Sequence, residues 1–141
     1  MKIALASDHG GFKLKEEIYN YLTQKNIEVL DLGTNSSESC DYPIFAQKVC
    51  DSILKNETAC GILICGTGIG MSIAANRNKG IRAACVSDTY SAKMTRLHND
   101  SNVLCFGERV VGIGLAKEIV NIWLNTQYEG GRHQKRVEML G

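Results

Sequence analysis

The sequence predicts an α/β fold, one parallel sheet of five strands with helices on both faces. Three observations lead there. Apolar runs of six or seven residues alternate five times with longer stretches whose apolar residues recur at helical spacing. The runs are nearly continuous in apolar residues, as expected of strands covered on both faces. A helix between each pair of strands supplies the crossover that parallel pairing needs, right-handed by default. No repeat, low-complexity tract or linker interrupts the pattern. The 141 residues therefore form one domain with one core.

The elements follow in order. "KIALAS" (2–7) is a buried strand. "GFKLKEEIYNYLTQKN" follows, with Phe12, Leu14, Ile18, Tyr21 and Leu22 at helical spacing. "EVLDLG" (28–33) is a second strand, closed by Gly33. The loop "TNSSESCDYP" leads to the only proline, Pro43, which suits the first turn of the helix "IFAQKVCDSILKN". "CGILICG" (60–66) is the third and most apolar strand. "GMSIAANRNKG" is a helix expected to stop near Gly80. "IRAACVS" (81–87) is strand four, and "TYSAKMTRLHND" is a helix capped by Ser87 or Asp88. "NVLCFG" (102–107) is strand five, and "IGLAKEIVNIWLNTQY" is a long amphipathic helix. After the Gly-Gly break, "EGGRHQKRVEMLG" (129–141) is a basic tail with room for one short helix.

Composition narrows the function classes. At 44% hydrophobic and 22% charged, with a formal net charge of +1, the chain has the make-up of an ordinary globular protein and gives no reason to expect nucleic acid or an anionic membrane as partner. No apolar run approaches the ~18 residues that span a bilayer. "MKIALASDHGG" breaks into Asp8-His9 where a signal peptide would carry a cleavage site, so a cytoplasmic location is expected. The six cysteines form no Cys-x-x-Cys pair, and nothing else suggests disulfides or structural zinc. Cys50, Cys60, Cys85 and Cys105 are expected to be small buried hydrophobes, and Cys40 an exposed loop residue. No His-x-x-x-His spacing occurs, so no metal is expected.

In open parallel sheets the ligand sits beyond the carboxyl ends of the strands. That rule picks out Ser7 to Gly11, Cys65 with the loop Gly66 to Gly70, Ser87, Asp88, Gly107 and Arg109. The loop "GTGIG" opens a helix, and its backbone N–H groups can converge on a phosphate or on an oxyanion formed during reaction. The alternative is a turn whose glycines only let a helix pack close. Cys65 stands at its mouth, where a thiolate would serve as nucleophile or base, although free cysteines are as often simply buried. Asp8 and His9 are an acid/base or binding pair, or a helix cap beside a solvent-facing ring. His98 and Asn99 end a helix, a position whose dipole alone favours histidine. Arg132 and Arg136 are four apart and would share a helical face suited to a phosphate, or else belong to a solvated tail.

Six motifs in order carry a resemblance: "SDHGG" after strand one, "DYP" opening the second helix, "GILICGTGIGMSIAANRNKGIRA", "TRLHND", "ERVVG" and "YEGGRHQKRV". From Met1 to the C-terminus the chain resembles ribose-5-phosphate isomerase type B, in the wider group that includes galactose-6-phosphate isomerase subunits. The resemblance implies a Rossmann-like α/β/α sandwich and a homodimer, with tetramers open, whose active sites lie at the subunit interface. It implies interconversion of ribose 5-phosphate and ribulose 5-phosphate through a cis-enediolate, in the non-oxidative pentose phosphate pathway, without metal or cofactor. By the same resemblance Cys65 is the base, and Gly66, Gly68, Ile69 and Gly70, with Asn99, stabilise the oxyanion. His98, with Thr67 and Asp41, opens the furanose ring. Asp8 holds substrate hydroxyls, and Asp41 and Tyr42 contact substrate. His9, Arg109, Arg132 and Arg136 bind the phosphate, with the tail (129–141) reaching the partner subunit. The thiol places the chain in the cysteine-bearing branch, since other members use a glutamate base.

Three rivals remain. One is another sugar phosphate, such as allose 6-phosphate. A second is a nucleotide-binding module, to which Asp88 would lend a ribose-binding acid, against a G-x-G-x-G spacing that does not fit dinucleotides. The third is a redox thiol protein, for which Cys60, roughly 16 Å from Cys65 along one strand, is too distant to pair.

Overall fold

The computed structural model describes residues 1–141. Its elements are β1 (Lys2–Ser7), α1 (Phe12–Gln24), β2 (Glu28–Asp31), α2 (Tyr42–Leu54), β3 (Cys60–Cys65), α3 (Ile69–Ala75), β4 (Ala83–Cys85), α4 (Thr89–Asn99), β5 (Val103–Gly107), α5 (Ile113–Asn125) and α6 (Gln134–Met139), with 3-10 turns at His9–Gly11 and Gly131–His133. All strand pairs are parallel, in the order β2-β1-β3-β5-β4.

Alternation along the strands divides the core in two. Ile3, Leu5, Ile62, Ile64, Leu104 and Phe106 face one side and pack on α1, α4 and α5, with Ile18, Leu22, Ile119 and Trp123 beneath them. Ala4, Ala6, Leu63, Cys65, Val103 and Cys105 face the other side, against Ala46, Val49 and Cys50 of α2 and Met71 and Ala75 of α3. The result is the expected three-layer sandwich. The helices that follow the neighbouring strands β1 and β3 lie on opposite faces, so this is the topological switch point of the sheet, where a ligand is expected beyond the carboxyl ends of the strands. No helix is long and apolar enough to cross a membrane.

Several local expectations need correction. Helix α3 ends at Ala75, five residues short of Gly80, where the Arg77 and Asn78 N–H groups donate to carbonyls three residues back and two asparagine side chains take up backbone groups. The Asn76 side chain pairs with both backbone groups of Ala83 (2.8 and 2.9 Å), and Asn78 donates to the Ala75 carbonyl at 3.1 Å. Strand four is only three residues long, at the sheet edge. There Cys85 is exposed rather than buried, and Cys60 is half-buried, whereas Cys50 and Cys105 are buried as expected. Cys40, expected to be exposed, is half-buried against His9. Asp88, not Ser87, caps α4, accepting from the Ser91 N–H at 2.6 Å. The tail holds two short helical pieces. Arg132 lies in the 3-10 turn and Arg136 in α6, so the two do not share one helix.

Candidate active site

Two glycines set the site's shape. Gly68 sits in the left-handed region (φ 83°), and a Cβ there would come within 2.7 Å of the Phe106 backbone. At Gly107 a Cβ would overlap the Thr67 backbone. The loop 66–70 is thus pressed onto the end of β5. Glu108 and Arg109 donate their N–H groups to the carbonyls of Cys65 (2.9 Å) and Gly66 (3.1 Å), and the Arg109 side chain passes over Gly66.

Cys65 ends β3, 6% exposed, and its Sγ accepts the Gly68 N–H at 3.1 Å. A thiolate accepts such a bond more strongly than a thiol. The Ile69 N–H is taken by the Thr67 hydroxyl at 3.3 Å, whereas the N–H groups of Gly66, Thr67 and Gly70 donate to nothing in the chain. Unspent amides therefore surround a thiol at one strand–helix junction. Cys65 is buried, as one reading of the sequence expects, and its sulfur is turned toward the loop.

The β1 loop lies alongside. Asp8 accepts from Gly10 and Gly11 at 2.9 and 3.2 Å through Oδ1, so it caps the turn into α1 and keeps Oδ2 free. His9 Nδ1 accepts the Cys40 N–H at 3.2 Å, which leaves the ring proton on Nε2. Asp41 stands at the N-terminus of α2 with no side-chain capping bond, and the Tyr42 ring lies on Gly70. Asp8, His9, Asp41, Tyr42, Cys65, the loop 66–70 and Arg109 thus gather at the carboxyl edge.

His98, Asn99, Arg132 and Arg136 are elsewhere. Helix α4 leaves the carboxyl end of β4 and runs back to where β5 begins, a length of about 16 Å. His98 and Asn99, at its last turn, are therefore at the amino edge. The tail docks there: the Glu129 N–H donates to the Leu97 carbonyl at 3.1 Å, and His133 stacks on His98 with ring centres 4.3 Å apart. Within one chain His98 does not meet Thr67 or Cys65.

Cys40, Glu129 and His133 were not singled out from the sequence. Glu129 four residues before His133, with His133 between Arg132 and Arg136, was the available signal for the last two. His98, Glu129 and His133 offer ligand atoms within 4.8 Å of one another, a cluster the sequence spacing did not reveal. The imidazole planes are 19° from parallel, so their lone pairs run side by side rather than toward one point, and the arrangement is a ring stack rather than a preformed metal cage. Burial, with a contribution from Cys65, pushes the Cys85 thiol up, and burial pushes Cys50 and Cys60 to about 11. These thiols stay protonated and unreactive at neutral pH.

The carboxyl-edge set lines no enclosed space. The largest concavity, about 480 Å³, lies between α1 and α5, and Asn99 lines another of about 390 Å³ at the amino edge. None is lined by Cys65 or its loop. Exposed apolar side chains occur on the helices around this open edge: Tyr42, Ile44, Ile69, Ile73 and Tyr90.

Comparison with known proteins identifies the fold and the family. The family model described as Ribose/Galactose Isomerase matches residues 3–140. Ribose-5-phosphate isomerase B of Escherichia coli K12 is 57% identical over 139 residues, covering 99% of this chain and 93% of that protein. Ribose-5-P isomerase B of Listeria innocua is 43% identical over 140 residues, covering 99% and 95%. Among solved structures, ribose-5-phosphate isomerase B of Clostridium thermocellum superimposes with a TM-score of 0.99 at 52% identity, covering 100% of this chain and 95% of that one. The Thermotoga maritima enzyme gives 0.97 at 53%, covering 99% and 96%. Coverage is end to end in each case, and the chain belongs to the ribose/galactose isomerase family.

Proposed function

We propose that this protein is an aldose–ketose isomerase interconverting ribose 5-phosphate and ribulose 5-phosphate through an enediolate, with Cys65 as base and each site shared by two copies of the chain. The observation that carries the reaction is the junction at Cys65, where one buried thiol and three uncommitted amides share a strand end. The reaction removes a proton from carbon beside a carbonyl. It therefore needs a base and an oxyanion cradle within a few ångströms of each other. The thiolate takes the C2 proton of the open aldose and returns it to C1. The Gly66, Thr67 and Gly70 N–H groups receive the enediolate oxygen, Asn99 adds a donor, and Asp8 holds a hydroxyl through its free Oδ2. The His9 Nε2–H and the guanidinium of Arg109 take the phosphate, joined by Arg132 and Arg136.

The shared site follows from the division of the residues. His98, Asn99 and the tail arginines lie on one edge and Cys65 on the other. A two-fold axis sets the amino edge of each copy on the carboxyl edge of its mate, twice over. It also covers the apolar rim and shuts water out of a half-site that is open in the single chain. Before isomerisation the furanose ring must open. His98 of the facing copy, with Thr67 and Asp41, carries that proton.

The test is an assay on ribose 5-phosphate in EDTA with no cofactor, comparing wild type with Cys65→Ala. The alanine variant should lose on the order of 10²–10⁴ in kcat with KM little changed. An unimpaired variant moves the base elsewhere. A wild type active only on a six-carbon sugar phosphate replaces the substrate.

A further inference from the structure

We infer that His133 is the positioning residue for His98: its ring, stacked on His98, holds that imidazole in the orientation needed for proton transfer to the furanose. The inference rests on the ring-opening role given to His98 above. Three observations support it. The rings are 4.3 Å apart and 19° from parallel. His133 is 7% exposed although it belongs to a tail whose neighbours Arg132, Gln134 and Lys135 are exposed, so the tail's one buried side chain is the one that meets His98. Its Nε2 is buried without a hydrogen-bond partner, and the nearest carboxylate oxygen, on Glu129, is 3.9 Å away. The ring is therefore present for its face, not for a hydrogen bond from Nε2.

Ring opening breaks the C1–O4 bond. The C1 hydroxyl gives up a proton and O4 takes one up. An imidazole that moves that proton has to meet O4 in plane, and a histidine on the last turn of a helix has free rotation unless something holds it. The titratable groups facing His133 are His98 from α4, and Glu129, Arg132 and Arg136 from its own segment. Burial, then Arg132 and His98, lower its proton affinity, with Glu129 opposing them and Arg136 adding the smallest lowering effect.

The test separates ring opening from proton abstraction. Ribulose 5-phosphate, its C5 oxygen esterified, closes no five-membered ring and reaches Cys65 already open. Exchange of its C1 hydrogen in D2O, followed by proton NMR, reads the base alone. His133→Ala should slow conversion of ribose 5-phosphate by roughly tenfold to a hundredfold through misplacement of His98. It should leave the exchange within about twofold of wild type. His133→Phe, which keeps a flat ring without nitrogens, should restore conversion to within about threefold. Equal loss in both readouts, or loss in neither, overturns the inference, as does a folded His133→Phe variant as slow as the alanine one. Cys65→Ala run in parallel keeps the two ideas apart, because exchange that survives it refutes the thiol as base and leaves the ratio for His133 to be judged on its own.

Discussion

Lys15 shows what a single side chain does for the site's frame. It has no solvent exposure, and its ammonium is 2.8 Å from Asp31 Oδ2 and 2.9 Å from Glu16. Asp31 also accepts the Gly33 N–H at 2.9 Å, and the Gly33 carbonyl accepts the Ser7 N–H at 2.7 Å, one residue before Asp8. The pair thus ties α1 to the strand end that presents Asp8 and His9. Removing one partner of a fully buried pair costs about 3–5 kcal/mol. Asp31 still reaches water, so Lys15→Ala should cost nearer to about 2 kcal/mol in urea unfolding, while Lys15→Met, which keeps the stem packed, should cost less. The sequence reading did not single out Lys15, which lies in register with Ile18 and Leu22 on the buried stripe of its helix. Charge alone would place it outside. Cys65 and its glycines were legible because one segment holds both the strand and the loop. The partnership of His98 with His133 was not, since 34 positions separate them and only the docked tail brings the rings together.

The elements followed the sequence where burial decided them and departed from it where side-chain hydrogen bonds did. All five strands and all the crossover helices stand where the apolar pattern places them. Helix α3 stopped early at two asparagines, and β4 shrank to an edge strand with one neighbour, which exposed Cys85. Helix α4 depends on its cap. Its Asp88 carboxyl is held below the usual value of 3.8 by the Ser91 N–H. A carboxyl with a lowered folded value adds stability above the unfolded value and loses it as pH falls through the folded one. Asp88→Ala should therefore lower the melting temperature by a few degrees at pH 7, and the gap from wild type should close on acidification below about pH 3.8. A gap that persists unchanged in acid would refute the cap as its source. Because α4 carries His98 and Asn99 to the amino edge, the same variant should also lose some activity.

The whole molecule is legible as a fold, and its candidate site residues fall on two opposite edges of the sheet. The carboxyl-edge rule located Asp8, His9, Cys65, the glycine loop and Arg109. It could not say that α4 and the tail carry the remaining groups to the opposite edge, since the direction of a helix and the docking of a tail are tertiary facts. On the proposal of a shared site, a second copy would cover the open carboxyl edge and its apolar rim and bring the two sets of residues together. Ile73, 54% exposed on the outer face of α3, lies on that rim. Ile73→Glu should give a folded monomer in sedimentation with isomerase activity reduced by roughly a hundredfold or more, because each half-site then stays open to water. A fully active monomer would contradict the shared site.

Complementation tests the shared site most directly. Cys65→Ala and His98→Ala, each inactive alone, would be unfolded together and refolded as an equimolar mixture. If each site takes Cys65 from one chain and His98 from the other, half of the dimers are mixed. Each mixed dimer holds one intact site and one doubly impaired site, so activity should return to about a quarter of wild type. If both residues serve the site of their own chain, every site remains broken, the mixture stays inactive, and the account of a site divided between two copies is wrong.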